Sequence, residues 1–160
     1  MVDVKRLNEI KDTLLSKMKE LFKKDGKIDS LGIIVDKDGT VAFVPMPYRD
    51  NQEKLIMIDG LKSICRKHSP AAVVIINEAW SVVRPQDDFD KFERELKSTG
   101  KSIKDLPDKK EIAIMFFETN FNQEIISFDI ERPSNDLVNE TRNKKATGIF
   151  SNLLTPVDLN

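Results

Sequence analysis

The stretch Ala71-Ala72-Val73-Val74-Ile75-Ile76-Asn77-Glu78-Ala79-Trp80-Ser81-Val82-Val83 decides how this chain folds. It follows a helical pattern that breaks at Ser69-Pro70, stays apolar through Ile76, and turns polar at Asn77 and Glu78 just before the only tryptophan. A short apolar run rich in β-branched residues and bounded by proline has the pattern of a strand covered on both faces. Side chains alternate along a strand, so Val74, Ile76, Glu78, Trp80 and Val82 share one face. Val73, Ile75, Asn77, Ala79, Ser81 and Val83 share the other. Glu78 and Trp80 therefore emerge together at the end of a buried element. A carboxylate in such a setting must find a partner or have its pKa raised, which is how general acids and bases arise. Glu78, Trp80 and the nearby Arg84 mark a candidate pocket. The plainer alternative makes Trp80 a core plug whose N–H meets a carbonyl, with Glu78 reaching an arginine or solvent at the rim.

Upstream, Leu7, Ile10, Leu14, Met18 and Leu21 recur at steps of three and four between Asp3 and Lys24, with Leu15 and Phe22 widening the stripe. This is a helix with one buried face. Lys11, Lys17, Lys19 and Lys23 are assigned to its other face, where Glu9, Asp12 and Glu20 interleave with them as on an ordinary solvated surface. Gly26 can close the helix in the left-handed region. Leu31 to Val35 and Thr40 to Val44 flank Asp36-Lys37-Asp38-Gly39, a hairpin signature in which glycine supplies the positive φ of a tight reversal. The same letters fail as a calcium loop: a third oxygen ligand is missing, and Pro47 stands where a bidentate glutamate is needed.

Asp50 and Glu53 have capping-box spacing and open a helix running to about His68, with Leu55, Ile58, Leu61, Ile64 and Cys65 on its buried face. Gly60 within it costs about 1 kcal/mol against alanine, and close packing on the sheet is the expected compensation. Cys65 and His68 share a face, but no further histidine or cysteine exists to complete a metal site. They are expected to be a core thiol and a helix-terminal histidine favoured by the dipole. Residues 84–110 form a long connection holding one short helix with Phe89, Phe92 and Leu96. Glu111 to Phe117 then reads as a central strand, and Glu124 to Glu131 alternates Ile126, Phe128 and Ile130 with Ser127, Asp129 and Glu131, as in a sheet with a wet side. Beyond Pro133 the chain is polar, with Leu137 and Val138 as anchors. Ala146 to Leu154 reads as an edge strand or a docking tail.

These elements compose an α+β fold in the order α-β-β-α-β-(α)-β-β. One domain is expected: a core over residues 1–132 with a mostly antiparallel sheet of about five strands and helices packed on one face, followed by a polar extension over 133–160 that reads as an edge strand or a docking tail. The chain has 160 residues, 26 basic and 27 acidic, for a net charge of −1. No field draws in nucleic acid or an anionic membrane, so neither is an expected partner. One cysteine permits no intrachain disulfide, which fits a reducing compartment. No run reaches the roughly 18 apolar residues of a membrane span. A cytoplasmic location is expected.

Ile76-Asn77-Glu78-Ala79-Trp80, with the approach Pro107-Asp108-Lys109-Lys110-Glu111 to the next strand, resembles a group of bacterial, archaeal and phage proteins of uncharacterised activity in which Glu-Ala-Trp ends a strand. The element order is similar to roadblock and profilin-like scaffolds, which serve mainly in assembly. Neither resemblance implies a catalytic residue. Phosphate-binding glycine loops, the nucleophile elbow and the zinc-protease helix motif are all missing from the sequence. The expectation is a non-enzymatic interaction or accessory module, acting as a homodimer or with a protein partner through a sheet edge or the first helix. No cofactor or metal is expected. The alternative is an enzyme or small-ligand binder with its pocket near Glu78 and Trp80.

Overall fold

The computed structural model describes residues 1–82 and 84–143. Among these, three α-helices and six strands follow one another as α1 (Val4–Asp25), β1 (Leu31–Val35), β2 (Val41–Pro45), α2 (Asn51–His68), β3 (Ala72–Ser81), α3 (Phe89–Thr99), β4 (Lys110–Thr119), β5 (Gln123–Glu131) and β6 (Asp136–Asn143). The strands form one sheet in the order β2-β1-β3-β4-β5-β6, and every neighbouring pair is antiparallel.

Local chemistry accounts for the element ends. Asp3 caps α1 by accepting the Arg6 N–H at 2.8 Å, and Gly26 closes it at φ 71° with its own N–H on the Phe22 carbonyl. Asp50 caps α2 in the same way through the Glu53 N–H at 2.8 Å, and the Glu53 carboxylate reaches back to the Arg49 N–H at 2.7 Å. Gly39, at φ 86°, turns the β1–β2 hairpin.

β3 is interior as expected. Ala72 to Ile76 pair with β1 on one side, and the whole strand pairs with β4 on the other. Its two faces meet different helices. Val74 and Ile76 join Ile33, Met115, Phe117 and Phe128 under Leu7, Ile10, Met18 and other residues of α1. Val73 and Ile75 join Ile34 and Phe116 under Ile58, Leu61 and Cys65 of α2. The expectation of helices on one face is therefore corrected: α1 and α2 lie on opposite faces. The cause is topological as well as chemical. β2 and β3 are each antiparallel to β1, hence parallel to one another, and α2 is the crossover between them. β1, β3 and β4 are apolar on both sides, so both sides need cover.

The sheet has six strands where about five were expected. β6 lies in the polar stretch after Pro133, paired to β5 and tied to α1 through Leu137 and a 2.7 Å ion pair between Lys23 and Asp136. The edge strand or tail expected over Ala146 to Leu154 lies outside the described residues, as does Val83. Among the described residues no helix is long and apolar enough to cross a membrane.

Several helix positions depart from expectation. Lys11 is buried among the apolar stripe of α1 instead of standing in solvent, whereas Leu21 and Leu55 are half exposed. Gly60 has nothing within 4 Å of where a Cβ would stand, so close packing on the sheet does not explain it. Gly60→Ala is expected to stabilise the protein by about 1 kcal/mol, read as a higher urea midpoint at unchanged slope.

Candidate functional site

Glu78, Trp80 and Arg84 sit where β3 runs past the end of β1, and each engages different partners. A Glu78 carboxylate oxygen accepts the backbone N–H of Ile28, pinning the segment between α1 and β1 against the sheet. Trp80 is 43% exposed, with the Lys109 ammonium 4.9 Å from its ring centre; the expected core plug is thus a partly solvated cation–π platform. Arg84 binds Asp108 through both carboxylate oxygens, at 2.6 and 3.2 Å, and stacks 4.7 Å from the Phe92 ring centre. It closes the neck of the 84–110 connection. The bidentate bond holds the Asp108 carboxyl below the usual range and raises the Arg84 guanidinium further.

Cys65 and His68 do not converge. The thiol is buried under the sheet and the imidazole is exposed. Desolvation, reinforced by the charge of the fully buried Glu118, pushes the Cys65 thiol up to about 11. Glu118 accepts the Gln123 amide at 2.6 Å. Because folding retains a proton that the unfolded thiol releases, stability contributed by Cys65 falls as pH rises from 9.0 towards 11. At neutral pH Cys65 is expected to react with an aromatic disulfide reagent only as fast as the chain unfolds, so that denaturant accelerates labelling. Rapid labelling of the native protein would contradict this burial.

A cavity of about 510 Å³ lies at the other end of β3, between the start of α1, Lys37 of the hairpin turn and the β4–β5 turn. Its walls include Val2, Val4, Leu7, Phe117 and Phe121. Lys11 and Glu124 supply a charged patch, paired at 2.9 Å with little exposure of either side chain, and the Lys11 ammonium stands 5.6 Å from the Phe117 ring centre. Arg142 holds the second oxygen of Glu124 at 3.5 Å. A pair removed from water this far persists only with such added partners. Among the described residues no three His, Cys, Asp or Glu side chains are grouped to hold a metal ion.

Among the described residues, the two outermost strands of the sheet differ in chemistry. β6 exposes Asn139, Glu140, Thr141 and Arg142, and its pairing with β5 is irregular between Ser127 and Asp129. Charge and irregularity are common ways of blunting an edge. β2 carries neither. Val41-Ala42-Phe43-Val44-Pro45 has no charged residue, and Phe43 is 61% exposed. Comparisons with family models, curated proteins and solved structures each give no match.

Lys11, Glu124, Phe121 and Phe43 were not among the sequence-based candidates. A signal existed for two of them. Lys11 stands four residues after Leu7 and four before Leu15, within the apolar stripe, and Pro45 at the end of β2 is a mark of an edge strand.

Proposed function

We propose that the protein is a non-enzymatic interaction module whose working surface is the β2 margin of the sheet. The observation that carries this reading is the contrast between the margins: the β6 edge is charged and irregular, while β2 offers main-chain groups beside an exposed phenylalanine with no charge along the strand. An apolar edge is a template for a further strand, and on β2 the protection is confined to its shortness and to Pro45 at its end, which leaves Val41 and Phe43 open. The separate engagement of Glu78, Trp80 and Arg84 favours the same reading, because each serves to hold a neighbouring segment in place.

Wild-type protein and Phe43→Lys, used as paired baits, provide the test. The Phe43 side chain is exposed, so the variant is expected to melt within about 4 °C of wild type. Ligands of the edge are expected to be recovered about ten-fold less on the variant, a loss of ~1.4 kcal/mol. Equal recovery on both baits would remove β2 as the working surface.

The cavity beside α1 favours a second reading, small-ligand binding. A volume of about 510 Å³ whose walls combine apolar side chains with the charged groups of Asp3, Lys11, Lys37 and Glu124 suits a small organic molecule. A ligand from a metabolite panel is then expected to raise the melting temperature of wild type, and Phe121→Ser, altering a 93% exposed side chain, to abolish that rise without lowering the melting temperature of the free protein. No stabilising compound across a broad panel would count against this reading.

A further inference from the structure

Resting on the reading of β2 as the working surface, the geometry points to a second copy of this chain as its partner. The inferred contact is an antiparallel β2–β2 pairing whose two-fold axis passes through Ala42.

The hydrogen-bond parity of the hairpin fixes which groups are on offer. Asp36 donates its N–H to the Thr40 carbonyl at 2.8 Å, and Met46 donates to Ser30 at 3.1 Å. Alternate residues of an antiparallel strand bond to the same neighbour, so Ala42, opposite Ile34, and Val44, opposite Gly32, also turn their main-chain groups towards β1. Val41, Phe43 and Pro45 turn theirs outward, and among the described residues no strand pairs with that side of β2. The outward row thus holds complete donor and acceptor pairs at Val41 and Phe43, then a carbonyl without N–H at Pro45.

This row complements itself. With Ala42 opposite Ala42 of the second copy, Val41 faces Phe43 of the second copy, and Phe43 faces Val41. Every outward N–H and carbonyl of these two residues is then matched. Pro45 falls beyond the paired segment, where its missing N–H costs nothing. Shifting the axis to Phe43 instead sets Val41 against Pro45 and leaves the Val41 carbonyl facing a proline ring. The central pair in the Ala42 register is of the non-hydrogen-bonded kind, with Cα atoms about 4.5 Å apart. Alanine is small enough for that approach, and Phe43 packs on Val41 across the junction, a favourable aromatic and β-branched pair. No charged residue lies on the strand to repel its own copy.

Sedimentation across a concentration series, with site-directed crosslinking, tests the inference on the full chain. Wild type is expected to pass from monomer to dimer with rising concentration, and Phe43→Lys to remain monomeric. Ala42→Cys is expected to form a symmetric intermolecular disulfide about ten-fold faster than Phe43→Cys, whose Cα atoms would lie beyond the ~7 Å limit for bridging in this register. The buried Cys65 does not compete. A wild type that stays monomeric to about millimolar concentration overturns self-pairing, and the edge-docking reading is then judged by the paired baits alone. Faster crosslinking at position 43 than at 42 overturns the register. A dimer insensitive to Phe43→Lys overturns self-pairing at β2, whereas the reading of β2 as the working surface falls only if the paired baits recover equally.

Discussion

Burial of β3 on both faces is the constraint on which the remaining structure depends. Val73, Val74 and Ile75 are almost wholly removed from water, and a strand in that position needs a neighbour on each side and a helix on each face. β1 and β4 supply the neighbours, and α1 and α2 the cover. Because α2 reaches its face only by crossing from β2 to β3, the hairpin places β2 outside β1. The exposed margin is thus a by-product of covering the centre. Removing a large side chain from such a core, Phe116 for example, forfeits about 3–5 kcal/mol of transfer and packing energy.

Features governed by local chemistry were legible in the sequence. Gly26, Asp50 and Gly39 act through their own backbone neighbours, and their roles follow from residue type and spacing alone. The two-sided burial of β3 was legible for a related reason, since an unbroken apolar run satisfies neither a one-sided strand nor a surface helix. Which sheet face each helix covers was not legible. Periodicity identifies the buried stripe of α1 and of α2, but the partner of that stripe depends on strand order, a property of distant segments. An edge strand was expected in the extension after Pro133 but set at Ala146 to Leu154 and not at β6, whose residues are mostly polar and become a strand by pairing to β5.

The candidate site shows the same division. Glu78 and Trp80 were correctly placed at the tip of β3, yet what they do there is set by Ile28 and Lys109, far away in sequence. Lys11 was assigned to solvent because lysine usually stands there. Its position in the stripe carried more information than its type, since Glu124 of a distant strand compensates the burial. Phe43 is the converse: an apolar side chain left exposed because, among the described residues, its strand is last in the sheet.

Near-zero net charge bears on the surface proposed at β2. With 26 basic and 27 acidic residues there is little field to steer an approaching partner. The recognition proposed for β2 would therefore act at contact range, through main-chain bonds and apolar packing, and would depend only weakly on ionic strength.

The salt link between Arg84 and Asp108 has a separate consequence. It ties the two ends of an excursion whose helix buries no residue, so the excursion is fastened at its base and contributes little to the core. A segment fastened in this way is a natural graft point: foreign sequence, even a folded reporter, inserted near Gly100 would stand clear of the sheet while its entry and exit strands stay in register.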